Sequence, residues 1–172
     1  YIIGDRLSRF GLDVLRNDGA ATERRIVLRH VVSEIGESCN LAVLYRGALT
    51  YLDRIEAQWP LRLQIPVTGV DLPPHCCASG KLLLAHLPVL DRQRLLELMA
   101  LERFTVRTIT DRQVLASELD RIVTAGYAVD NEEYVTGVAC VAVPVRNQHG
   151  EVVAAIAVQG ATARLPLMRA IE

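Results

Sequence analysis

Residues 73–87, PPHCCASGKLLLAHL, gather the side chains most able to do chemistry: a histidine, two adjacent cysteines, a small-residue step and the only lysine of the chain. Four chemistries compete for them. A phosphate loop needs a glycine, four residues and then Gly-Lys-Ser/Thr. Gly80-Lys81 is present, but His75 stands at the earlier glycine position and Leu82 at the hydroxyl position. A zinc site needs cysteine pairs spaced by two to four residues. Adjacent Cys76 and Cys77 strain to reach one ion, and no second pair exists, so neither a metal nor a cofactor is expected. Cys39 and Cys140 stand alone in strand patterns and read as small buried hydrophobes.

A reactive thiol is the third chemistry. Cys77 precedes a helical pattern, where unpaired N–H groups and the helix dipole lower a thiol pKa. A nucleophile also needs a positioned base, and the sequence leaves the orientation of His75 open. The fourth fits the residues best. Ala78, Ser79 and Gly80 are small residues at a helix N-terminus. Free N–H groups there hold a carboxylate or carbonyl, and small side chains let a ligand approach the backbone. Tight helix packing is the plainer use of the same residues.

The elements that must position this stretch follow from periodicity. Residues 5–18 form a short helical pattern broken by Gly11, and residues 21–37 a better one, with Leu28, Val31, Val32 and Ile35 on one face. Residues 39–46 and 48–56 read as a hairpin around Gly47, and 60–66 as a strand with one polar face. Helices are expected over 77–87 and after Pro88. A third is capped by Thr110, with Gln113 three residues on, and ends at Gly126. Residues 127–131, 137–146 and 151–159 read as strands. The sum is an α+β fold: about six strands, mainly antiparallel, flanked by helices.

The last hairpin sharpens the reading. If Arg146 pairs with Glu151 across the turn 147–150, Cys140 faces Ala157 and Val138 faces Gln159. The period of two then puts Cys140, Ala157 and Gln159 on one face. That face is small and apolar, with a thiol and one amide. It leaves room for a ligand, or for a helix packed upon it.

Whole-chain properties narrow the function. The 172 residues suit one domain, or one domain with a linker, and 51% hydrophobic residues suffice for a core. A net charge of −1 gives no basic field for nucleic acid. No apolar run approaches the ~20 residues that span a bilayer, no signal peptide is visible, and a cytoplasmic setting is expected. The chain opens on Tyr1 and closes on PLMRAIE inside a helical pattern, so a piece of a longer protein is expected. A mean hydropathy of +0.22 suggests an apolar surface that needs a partner copy.

Three segments in order, CCASGKLLLA (76–85), GYAVDNEEYVTGVACVAVPV (126–145) and GEVVAAIAVQGATAR (150–164), resemble the effector-binding domain of the IclR family of bacterial transcriptional regulators. The similarity runs over nearly the whole chain, and YIIGDRL (1–7) is similar to the linker helix that leads out of the DNA-binding domain. The resemblance implies a GAF-like, six-stranded sheet flanked by helices over 19–172, with 1–18 as the end of the linker helix. The winged helix-turn-helix would lie outside this sequence. It implies a small-molecule sensor rather than an enzyme, forming a homodimer or homotetramer and touching operator DNA only through that other domain. In relatives the pocket is built from positions that fall on Ala78, Ser79, Asp130, Cys140, Ala157 and Gln159. Two serines of the family pattern are replaced here by Ala157 and Gln159. That argues against a compact oxoacid and leaves a larger organic acid, an aromatic or a sugar acid open. The competing readings are a thiol-based redox enzyme on a GAF-like scaffold and a ligand-free dimerisation module.

Overall fold

The computed structural model describes residues 19–59 and 71–165, together with residues 4, 6, 7, 10, 11, 13 and 14. The expected strand at 60–66 and most of the helical pattern at 5–18 lie outside the described residues.

Helix α1 (Gly19–Ile35) leads into the hairpin of β1 (Ser38–Tyr45) and β2 (Ala48–Ile55). Arg46 and Gly47 turn it with φ of 52° and 82°, the two positive angles that a two-residue turn with the sheet's own twist demands. Helices α2 (Ala78–Ala85), α3 (Val89–Leu98) and α4 (Arg112–Ala125) follow, then β3 (Ala128–Asn131), β4 (Val138–Arg146) and β5 (Val152–Ala161). The described strands form one five-stranded antiparallel sheet in the order β2-β1-β5-β4-β3. Helix α2 lies on its inner face, touching all five strands and α4, while α1 packs on β1 and β2. The centre of the core is Leu49 with Leu82 and Leu84 of α2 and Leu115, Leu119 and Ile122 of α4, all fully buried.

Three expectations are corrected. The cap of α4 is Asp111 rather than Thr110: its carboxylate accepts from the N–H groups of Gln113 and Val114 at 2.8 and 3.0 Å. Ile35, expected on the buried face of α1, is 45% exposed, because the helix ends there and Gly36 (φ 79°) turns the chain into β1. The β4–β5 register is two residues away from the simple turn. Glu151 belongs to the turn: its carbonyl accepts from the Asn147 N–H and its own N–H donates to Asn147 Oδ1, so Arg146 pairs with Val152. A bulge then adds one more residue, and Cys140 pairs with Gln159, not Ala157, while Ala157 pairs with Ala142. Two single-residue shifts cancel in parity, so the three residues still share the buried face.

Candidate functional site

The opening of α2 is built by close packing. A Cβ on Gly80 would lie 2.3 Å from the carbonyl oxygen of Pro74, so the loop before the helix can fold onto its first turn only over a glycine. Cys77 occupies the N-cap without a side-chain cap bond. The first N–H groups of a helix have no partner within it. Ala78 and Ser79, which carry two of them, are buried beside the sheet.

Lys81 is not a phosphate lysine. It is 1% exposed, and its ammonium reaches Glu133 at 2.5 Å and Glu118 at 3.4 Å. Glu118 is also gripped by Arg121, whose hydrogen bonds hold its carboxyl below the ordinary range. Burial pushes the Glu133 carboxyl up, against the pull of Lys81. The Thr108 hydroxyl accepts from the N–H groups of Phe104 and Thr105 and donates to the Glu133 carbonyl at 2.6 Å. Asp130 accepts from the Glu133 N–H at 2.7 Å, and burial pushes its carboxyl up to about 7. These bonds fix the turn between β3 and β4 against α2 and α4.

The sheet supplies the floor. One rung runs Ala128, Ala142, Ala157, Asn40 and Arg54, and the next runs Asp130, Cys140, Gln159 and Ser38. Arg54 is 5% exposed and donates to the Gln159 side-chain oxygen at 3.0 Å. Its guanidinium also lies 5.9 Å from the centre of the Tyr51 ring. Ser38, Arg54, Trp59, Gly137, Val138 and Gln159 help to enclose a cavity of about 200 Å³.

All six residues expected in the site are buried. The sheet brings Asp130, Cys140 and Gln159 into one rung with Ala157 in the next, and α2 sets Ala78 and Ser79 over the same face. Sequence reasoning missed Ser38, Asn40, Tyr51 and Arg54. Alternation along SCNLAVLY offered Ser38 and Asn40. Strict alternation along ALTYLDRI would point Arg54 away from Tyr51, toward the other face. A bulge at Leu52, where Leu41 pairs with Asp53 but Ala42 with Tyr51, turns Arg54 inward.

The thiols are in no state for nucleophilic chemistry. All four cysteines are free and buried. A hydrogen bond that the Cys77 thiol donates to Cys76, together with burial, pushes Cys77 well up; burial does the same to Cys140 and takes Cys39 to about 12. The lowering expected for Cys77 at a helix N-terminus is thus overturned by that hydrogen bond and by desolvation. His75 is held neutral by burial, its Nε2 bonded to the Glu102 carbonyl at 2.9 Å. No cluster of three or more His, Cys, Asp or Glu suited to a metal occurs among the described residues. A larger cavity, about 470 Å³, lies on the outer face among Val31, Ile35, Val141, Val143, Ile156 and Val158. Glu34 and Arg164 also line it, as does Ala157, but its walls are otherwise branched and apolar.

A sheet face of small and polar residues lies under a helix opening of small residues, and its thiols are pushed toward their protonated form. Residues 13–170 match the family model described as bacterial transcriptional regulator IclR C-terminal, and the chain belongs to the IclR family, whose members are transcription regulators and not enzymes. It is 41% identical over 167 residues to a Cupriavidus necator protein named "Probable transcriptional regulator SauR", covering 97% of this chain and 66% of that one. The chain spans half to two thirds of the length of the curated relatives it matches. The Thermotoga maritima IclR crystal structure superposes with a TM-score of 0.78 at 29% identity, covering 99% of this chain and 71% of that one. An IclR homologue from Microbacterium hydrocarbonoxydans complexed with 4-hydroxybenzoate gives 0.74 at 27% identity, covering 98% and 71%. No helix among the described residues is long and apolar enough to cross a membrane.

Proposed function

We propose that this effector-binding domain takes an organic acid, aromatic or sugar-derived, between the N-terminus of α2 and the sheet face below it. Ala78, Ser79, Asp130, Cys140, Ala157 and Gln159 line that site. The observation that carries the reading is the rung Asp130–Cys140–Gln159 under a helix opening made of small residues. The 4-hydroxybenzoate complex of the Microbacterium relative supports an aromatic acid as the first probe. Ala157, in place of a hydroxyl-bearing residue, leaves apolar room for a ring.

The same proposal covers the longer protein. Residues 1–18 are the end of a linker helix, and a winged helix-turn-helix before it binds operator DNA in the bacterial cytoplasm. The effector changes that binding within a homodimer or homotetramer.

Thermal unfolding tests the site. At a concentration 100 times its Kd, 4-hydroxybenzoate should add about 2.7 kcal/mol to stability. Ala157→Leu should cost about 1–3 kcal/mol by overpacking, still melt cooperatively, and show no ligand shift. An unchanged shift in that variant would place the pocket elsewhere.

A further inference from the structure

We infer that Asn40 is a further effector-binding residue: its side-chain oxygen accepts a hydrogen bond from a hydroxyl of the ligand, so that the effector is a hydroxylated acid rather than a bare one. The inference rests on the site proposed above and names a substituent that the ligand carries there. Asn40 pairs with Ala157 across β1 and β5, which puts it on the inner face, one strand spacing or ~4.8 Å from that residue. It is 1% exposed, and its Oδ1 is fully buried with no hydrogen-bond partner. Native interiors pair nearly all buried polar atoms, so an acceptor left open in a core needs an explanation.

The surrounding protein leaves that oxygen open. Ala42 stands two residues on along β1, Ala155 and Ala157 lie on β5 and Ala142 on β4; all are buried, and their side chains carry no donor. The polar residues nearest in the ladder are engaged elsewhere. Arg54, opposite Asn40 on β2, donates to the Gln159 oxygen, and Ser38 Oγ accepts from the Ala57 N–H. A ligand lying over Ala157 therefore meets Oδ1 with whatever group it carries on the β1 side. An oxygen acceptor needs a donor there. A hydroxyl supplies one without charge, whereas an ammonium would have to shed its hydration among alanines. A carboxylate at the same place would set acceptor against acceptor. The acid group is left to the first N–H groups of α2. A ligand that fills the space without a donor leaves Asn40 unpaired, and a site built to bond a hydroxyl rejects such an analogue.

The test is calorimetric titration of the 172-residue chain with three pairs that keep the acid and change the donor. They are 4-hydroxybenzoate with 4-fluorobenzoate, 3-hydroxybenzoate with 3-fluorobenzoate, and 3-hydroxybutyrate with butyrate. In at least one pair the hydroxyl acid should bind the wild type about 5-fold or more tightly than its partner. Asn40→Leu replaces the amide with an apolar side chain of similar size. It should fold, bring that ratio within about 2-fold by losing hydroxyl-acid affinity, and hold the partner acid within about 3-fold of wild type. Asn40→Ala should do the same if leucine overpacks the face. An asparagine that serves only the fold would weaken both members of a pair alike, and that result would overturn the inference. So would a wild-type ratio below about 5-fold in every pair that binds, or a ratio kept in both Asn40 variants. If Ala157→Leu still blocks the probes, the proposed site survives that failure. If Ala157→Leu binds them as the wild type does, or no probe binds the wild type at about 10 mM, site and inference fail together.

Discussion

The two faces of the sheet differ in a way that volume alone misreads. The outer face carries Val141, Val143, Ile156 and Val158 and bounds the larger cavity, about 470 Å³. The inner face carries alanines, one thiol and several buried polar side chains, and at its edge Ser38, Arg54, Val138 and Gln159 border a cavity of about 200 Å³. A face of branched apolar residues offers area without direction. A face of small residues and fixed donors offers orientation, which is what selectivity requires. The inner face also holds its charges in two manners. Lys81 is enclosed by the carboxylates of Glu133 and Glu118, whereas Arg54 donates to the neutral amide of Gln159.

The largest effect expected from this contrast is at Lys81. Lys81→Met leaves Glu133 buried without its cation and should cost about 3–5 kcal/mol in urea unfolding. A loss below about 1 kcal/mol would mean that the β3–β4 turn does not depend on the pair.

A smaller effect is expected from Asp130. Its carboxyl is pushed from an ordinary 3.8 up to about 7, chiefly by burial. The folded chain therefore holds that proton more tightly than the unfolded chain. The stability contributed by the neutral acid is complete below about pH 4 and is lost as pH rises through about 7. Asp130→Asn keeps an acceptor for the Glu133 N–H and removes the titration, so its stability should decline less than the wild type's between pH 4 and 7. Parallel pH profiles would sink this assignment.

The smallest effect belongs to the outer face. Val143 is 44% exposed, and Val143→Thr should change stability by no more than about 0.5 kcal/mol and leave 4-hydroxybenzoate affinity unchanged. A loss of affinity there would shift the site to the outer groove.

Much of this was legible in the sequence. The hairpin at Gly47, the helix after Pro88, the glycine stop of α4 and the shared face of Cys140, Ala157 and Gln159 follow from period and turn chemistry. The register did not, because a longer turn and a bulge each add one residue, and neither is marked by a glycine or proline in VRNQHGEVV beyond Gly150. Arg54 was hidden for the same reason: a bulge at Leu52 reverses which face a residue occupies. Lys81 was misleading, since a Gly-Lys step looks like an anion site until its two carboxylate partners, 37 and 52 residues away in sequence, are seen. Alternation reads a strand well until the ladder skips a residue, and long-range ion pairs leave no local trace.

The most direct measurement is a crystal structure of this domain with 4-hydroxybenzoate. The ligand should lie on the inner face, against Cys140, Ala157 and Gln159, beneath the start of α2. A ligand seated instead among Val141, Val143 and Ile156, with the inner face unchanged, would contradict the account.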